Sequence, residues 1–226
     1  MLRDGESMKI FLDTANREFI KKWLPTGLID GITTNPSHLS KEDPDSKKVL
    51  REICAMVPGD VSIEVVEKNP EEVLKQALQI SKFAPNVVVK IPCAPEYLSV
   101  IHELAKQDVK INVTLVFTSL QALMVAKLGV TYISPFIGRW DEIGVDGIDC
   151  LASIIHMKQT YDYSSQILAA SVRHITHWQK AVELGADVVT VPQAVFEQAM
   201  KHPLTDRGIE IFDNDWKKLG KKSLFE

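Results

Sequence analysis

The chain has 226 residues, 45% of them hydrophobic and 25% charged, which is the balance of an ordinary globular domain with length for one sizeable core. A formal net charge of −4 excludes the broad basic field on which general affinity for nucleic acid or anionic membrane rests, so any anion site must be local. Three widely spaced cysteines, Cys54, Cys93 and Cys150, exclude a disulfide framework and a CxxC metal site, and no run approaches the roughly 18 apolar residues of a membrane span, so a reducing, cytoplasmic setting is expected.

Residues 1–7 are polar and read either as an extension or as a start upstream of Met8. From there, short runs rich in Val, Ile and Thr alternate with longer amphipathic stretches, the pattern of strand–helix units on a parallel sheet. The first run, Lys9–Asp13, ends on a carboxylate; the second, Asp30–Thr34, contains Thr33 and is followed by Asn35. Val61–Val66 contains Glu64 and precedes a helix over Glu71–Phe83. Val87–Ile91 places Lys90 in an otherwise apolar strand and precedes a helix over Glu96–Gln107. Lys110–Leu115 brings Asn112 and Thr114 ahead of a helix over Leu120–Leu128, with Gly129 at its end. Thr131–Pro135 contains Ser134 and runs on to Phe136 and Arg139 before a helix over Asp146–Thr160. Gln166–Ala170 runs on to Ser171 and Arg173 before a helix over Thr176–Leu184 closed by Gly185, and Asp187–Val191 is the last strand. The lysines Lys217, Lys218, Lys221 and Lys222 read as a solvated helix end.

Eight parallel strands with crossover helices can close and so remove exposed sheet edges, which predicts an α/β fold: a single (β/α)8 TIM-type barrel over 8–204 with a C-terminal helical arm over 205–226. An open doubly wound sheet is the alternative. It would carry a Gly-rich loop after its first strand, and Asp13-Thr14-Ala15-Asn16 is not one.

In such a barrel the C-terminal strand ends hold the active site, and here seven strands deliver polar groups toward one rim. Lys90 is the sharpest of them. A lysine in that strand either snorkels to solvent or is partly desolvated in the barrel mouth, where a lowered pKa frees its lone pair to attack a carbonyl. Asp13 and Glu64 supply carboxylates for the proton transfers of Schiff-base chemistry, and Thr114 can hold a water between them and the lysine. Arg139 and Arg173 can reach one rim from neighbouring strands, with Ser171 beside the latter; phosphate suits their forked donors, while surface pairing with Asp141 and Glu142 is the competing account. His174 and His177 stand three apart without a third ligand at recognisable spacing, so no metal is expected.

The ordered motifs Leu12-Asp13-Thr14-Ala15-Asn16, Gly31-Ile32-Thr33-Thr34-Asn35-Pro36-Ser37, Val89-Lys90-Ile91-Pro92, Asn112-Val113-Thr114-Leu115-Val116-Phe117, Ser134-Pro135-Phe136-Ile137-Gly138-Arg139 and Ala169-Ala170-Ser171-Val172-Arg173 resemble the transaldolase family, in its small transaldolase and fructose-6-phosphate aldolase branch. The resemblance runs from about Met8 to Leu219. It implies that Lys90 is the Schiff-base lysine, Asp13 the proton donor and acceptor, and Glu64 and Thr114 the holders of the catalytic water. It further implies that Asn35 and Asn112 hold sugar hydroxyls, that Thr33 and Ser134 line the site, and that Arg139, Ser171 and Arg173 grip the phosphate of a phosphorylated sugar, without a cofactor.

The implied reaction moves a dihydroxyacetone unit from sedoheptulose 7-phosphate or fructose 6-phosphate to an aldose phosphate, in the pentose phosphate context. Aldolases of the branch, which release free dihydroxyacetone, tend to carry Gln at the Glu64 position and Tyr at the Phe136 position; this chain has the transaldolase residue at both. A sugar-phosphate binding barrel without catalysis would need only the arginines and hydroxyls. Small members of the branch resemble one another in forming ring-like homo-oligomers, often decamers, and Thr205–Leu219, with Phe212 and Trp216, is either the arm that packs on a neighbour or a helix on its own barrel.

Overall fold

The computed structural model describes residues 7–220 together with 223 and 224. Residues 1–6 of the expected extension, and Lys221 and Lys222 of the basic run, lie outside the described residues. The elements in chain order are β1 (Lys9–Asp13), α1 (Arg17–Trp23), β2 (Gly31–Thr33), α2 (Pro36–Leu39), α3 (Ser46–Met56), β3 (Asp60–Glu64), α4 (Pro70–Ser81), β4 (Val87–Pro92), α5 (Leu98–Lys106), β5 (Ile111–Val116), α6 (Ser119–Ala126) and β6 (Tyr132–Pro135). They continue with α7 (Ile137–Asp141), α8 (Gly147–Tyr161), β7 (Gln166–Ala169), α9 (Ile175–Leu184), β8 (Val188–Val191), α10 (Gln193–Ala199) and α11 (Pro203–Lys218). The strands form a closed parallel barrel in sequence order, with β8 pairing back onto β1, so the expected (β/α)8 architecture holds and the open sheet does not.

The two-residue period of a strand sorts its side chains. One set faces the helices and forms the larger core, including Leu12, Ile32, Ile63, Val89, Ile91, Val113, Ile133 and Val189, and the other faces the lumen. The lower lumen is apolar, filled by Phe11, Val88, Tyr132, Leu168, Ala170 and Val188, with Phe11 and Tyr132 edge to face at 5.8 Å. Gly31 makes room for this packing: a Cβ there would lie 2.6 Å from the Phe11 ring and 2.6 Å from the Asp60 carbonyl. Two residues beyond Phe11, Val88, Tyr132 and Val188 the lumen turns polar, at Asp13, Lys90, Ser134 and Thr190.

Expected and observed strands agree within two residues at each end, and the expected helices form with small shifts. The stretch expected as one helix over Glu96–Gln107 divides into a 3-10 turn at Pro95–Tyr97 and α5. The C-terminal arm begins at Pro203 rather than 205, with Pro203 in the first turn and the His202 side chain capping Leu204 N–H. No residue of α11 is buried. Among the described residues no helix is long and apolar enough to cross a membrane.

Candidate active site

The polar upper lumen opens into a cavity of about 440 Å³ at the C-terminal ends of the strands. Register explains who meets whom. Glu64 and Lys90 are direct partners across β3 and β4, and both lean inward, so the Lys90 Nζ lies 3.0 Å from Glu64 Oε2. The same amine donates to the Thr34 carbonyl at 3.2 Å. Lys90 is only 5% exposed, which decides against a lysine that snorkels to solvent.

Asp13 and Thr33 are partners across β1 and β2, and the Thr33 hydroxyl donates to Asp13 Oδ1 at 2.9 Å. Thr33 meets Thr190 of β8 at 2.6 Å. Burial pushes the Asp13 carboxyl up, but the hydrogen bond and charge of His38, the charge of Lys90 and the Thr33 hydroxyl together hold it below the usual carboxylate range.

A second polar chain crosses the lumen. Ser134 Oγ donates to Asn112 Oδ1 at 2.6 Å, and Asn112 Nδ2 donates to Ser62 Oγ at 3.1 Å, so the Asn112 amide is already held by protein on both its atoms. Asn35 is likewise engaged: its Oδ1 accepts His38 N–H at 2.9 Å and caps α2. Asn35, Asn112 and Ser134 line the cavity. Thr114 does not; it is buried in the wall beside it, and its Oγ1 has no hydrogen-bond partner among the described residues. Just beyond, β5 slips register between Val113 and Val116, and Leu115 takes φ of 57°, a bulge that turns its side chain to the cavity.

On the far rim α7 and the segment after β7 are clamped together. Gly138 N–H donates to Ser171 O at 3.0 Å, and a Cβ on Gly138 would lie 2.2 Å from that oxygen and 2.6 Å from Arg173 Cγ. Arg139, Ser171 and Arg173 all line the cavity. The Ser171 hydroxyl is buried without a hydrogen-bond partner among the described residues, and its backbone is left-handed at φ of 58°. Both guanidinium groups are held by Glu142: Arg173 Nη2 to Oε1 at 2.9 Å, and Arg139 Nη1 to Oε2 at 3.6 Å. Phe136 lines the cavity edge to face with Phe117 at 6.1 Å.

Asp141 goes elsewhere, and supplies the third group that sequence spacing did not place beside His174 and His177; their ligand atoms lie within 4.8 Å of one another. The tautomers oppose metal binding. His177 Nδ1 accepts from Arg173 N–H, and His174 Nδ1 accepts from His177 N–H, so in each neutral ring the proton sits on Nε2, the atom that faces Asp141. His177 Nε2 donates that proton to Asp141 Oδ2 at 2.6 Å. Burial pushes His177 below its usual pKa despite Asp141, while the Gly147 N–H and His177 outweigh partial burial and pull Asp141 below the carboxylate range.

Three polar cavity residues escaped the sequence reading, His38, Lys41 and Thr190; Glu142 was expected there as a surface partner of the arginines and is found paired with both. Thr190 had a signal in the two-residue period of its strand. His38 had one in its place just after a rim motif.

The family model described as Transaldolase/Fructose-6-phosphate aldolase matches residues 10–223. A relative from Dehalococcoides mccartyi named "Probable transaldolase" is 48% identical over 216 residues, covering 95% of this chain and 100% of that protein. Another of that name, from Petrotoga mobilis, is 49% identical, covering 93% of this chain and 96% of that protein. A solved structure named as a fructose-1,6-biphosphate aldolase from Coccidioides immitis superposes with a TM-score of 0.57 at 15% identity, covering 88% of this chain and 81% of that one, a likeness of fold.

Proposed function

The chain belongs to the transaldolase/fructose-6-phosphate aldolase family, and on that premise we propose that it moves a dihydroxyacetone unit from a ketose phosphate to an aldose phosphate through a Schiff base on Lys90. The observation that carries this reading is one buried amine, 3.0 Å from a carboxylate, on a cavity whose opposite rim holds two guanidinium groups. A protonated amine cannot attack a carbonyl. Glu64 is placed to take the Lys90 proton, after which Nζ bonds to C2 of the ketose, and the C2 oxygen leaves as water once protonated. Glu64 and the Thr114 hydroxyl hold that water.

The iminium is then the electron sink, so the chemistry needs no cofactor. Asp13 accepts the proton of the C4 hydroxyl; the C3–C4 bond breaks, its electron pair forms the enamine, and C4 departs as an aldehyde. With an acceptor aldehyde the steps reverse, Asp13 returning its proton to the new alkoxide. Arg139, Arg173 and the Ser171 hydroxyl bind the phosphate, Asn35, Asn112, Thr33 and Ser134 shape the sugar subsite, and Phe136 presents no hydroxyl that could order a water at the enamine. The last point favours transfer over release. Ile209, Phe212 and Trp216 form one stripe along the otherwise unburied α11, which supports assembly as a homo-oligomer through that helix.

The test is erythrose 4-phosphate formation from fructose 6-phosphate and glyceraldehyde 3-phosphate, with borohydride added in a parallel sample. A reduced three-carbon adduct on Lys90 and transfer faster than dihydroxyacetone release are expected. Labelling of another lysine, or release as fast as transfer, refutes the reading.

A further inference from the structure

His38 is a cavity group for which the Lys90 scheme has no role, and it is the one that reaches a carboxylate of that scheme. It stands in α2, directly after the segment that supplies Thr33 and Asn35. That segment is pinned twice: the Asn35 side chain holds the His38 backbone N–H at 2.9 Å, and the Thr33 hydroxyl holds Asp13 at 2.9 Å. As a result His38 Nε2 comes to 3.3 Å from Asp13 Oδ1, the oxygen that Thr33 also binds. The His38 and Asp13 side chains are 24% and 22% exposed, and both line the cavity.

We propose that His38 is a positioning residue acting through Asp13: its Nε2–H, with the Thr33 hydroxyl, fixes Oδ1 and leaves Oδ2 to exchange the proton of the substrate hydroxyl. At 3.3 Å from Oδ1, Nε2 can donate to Asp13 only as the Nε2–H tautomer or the cation. Either form favours ionised Asp13, the form that can accept a proton. The other charged groups facing this pair are Lys41 at the end of α2, Glu64 from β3 and Lys90 from β4, with Arg139 and Arg173 across the mouth. Of these, His38 and Lys90 draw the Asp13 carboxyl down. His38 matters in this way only if Asp13 handles the substrate proton, as proposed above.

The experiment compares wild type, His38→Gln and His38→Leu in the transfer assay from about pH 4.5 to 9. Gln offers a neutral N–H near the position of Nε2; Leu offers none. His38→Leu is expected to lower kcat by about ten- to hundredfold and to move the acidic limb of kcat/KM upward by about one pH unit. KM for the ketose phosphate should change less than about twofold, since the phosphate grip is untouched. His38→Gln should recover most of kcat and most of the limb. Borohydride trapping of dihydroxyacetone on Lys90 breaks no C–C bond, so it should stay intact in both variants; its loss from wild type would instead sink the Lys90 reading itself. An unshifted acidic limb in folded His38→Leu, or equal losses in Leu and Gln, overturns the proposal. If circular dichroism shows His38→Leu unfolded, the limb of His38→Gln decides: failure to keep it close to wild type overturns the proposal.

Discussion

Glu142 occupies both rim guanidinium groups in the free enzyme, so a substrate phosphate bound there has to displace a carboxylate that the protein itself supplies. Replacing Glu142 by Gln should therefore tighten phosphate binding. The size of the effect follows from exposure and geometry. The Arg173, Arg139 and Glu142 side chains are 51%, 56% and 48% exposed, and one of the two contacts is longer than a hydrogen bond. Exposed pairs contribute about 0.2–1 kcal/mol each, and with the 3.6 Å Arg139 contact counted at the low end the two together compete by about 0.4–1 kcal/mol. KM for a ketose phosphate should then fall about two- to fivefold in Glu142→Gln with kcat unchanged.

Arg173→Ala acts in the opposite sense. It loses a charge-assisted contact of about 1.5–3 kcal/mol but no longer has to break its pair with Glu142, so KM should rise roughly five- to fiftyfold. In the Arg173→Ala background one of the two competing pairs is already gone, so adding Glu142→Gln should lower KM by less than it does in wild type. Steady-state transfer rates at fixed ionic strength measure all four proteins, and competitive inhibition by inorganic phosphate gives the same ordering without turnover. If Glu142→Gln changes neither KM nor the phosphate inhibition constant, the arginines do not bind phosphate where Glu142 sits.

Other outcomes follow from the same site. Phe136→Tyr places a hydroxyl at the cavity wall and should raise free dihydroxyacetone formation relative to transfer, measured as the ratio of the two products from fructose 6-phosphate; an unchanged ratio removes Phe136 from that choice. Gly138→Ala forces a Cβ to within 2.2 Å of Ser171 O, so it should shift the Ser171–Arg173 segment and raise KM for phosphorylated ketoses while leaving dihydroxyacetone trapping on Lys90 intact. His177 is pushed below its usual pKa chiefly by burial, so the unfolded chain binds that proton more tightly and stability should decline as pH falls below about 6.5. The urea midpoint should drop between pH 7.5 and 5.5 in wild type, and less in His177→Gln.

The parts that could be read from the chain are those set by local periodicity. Val87-Val88-Val89-Lys90 announces a strand with one amine in it, and the two-residue period then places Lys90 above Val88 in the lumen. Asn35 ahead of Pro36 is a legible helix start, yet α2 is four residues long and exists because it docks on the rim, which no propensity sum shows. The bulge at Leu115 is also tertiary: its left-handed backbone costs on the order of 1 kcal/mol and persists because the surrounding strands hold it. Choice of partner is less legible still. Arg139, Asp141 and Glu142 lie within four residues, and the chain does not say that the glutamate takes the arginines while the aspartate takes His177.

The level at which Lys90 sits explains why burial and access coexist there. Below it, Val88 belongs to the apolar lumen with Phe11, Tyr132 and Leu168. Beside it stand Glu64 and Asn112, its register partners on either side, and above it the cavity opens. An amine one step lower would be an uncompensated charge among aromatic rings, and one step higher would stand in solvent. At the boundary it has the Glu64 carboxylate 3.0 Å away and an apolar floor below it. The same boundary passes through Asp13, two residues above Phe11, and through Ser134, two above Tyr132. Period-two alternation in a closed barrel thus brings Asp13, Glu64, Lys90 and Ser134 of four strands to one level, and moving any of those strands by one residue would replace its polar group with a side chain from the helix-facing core.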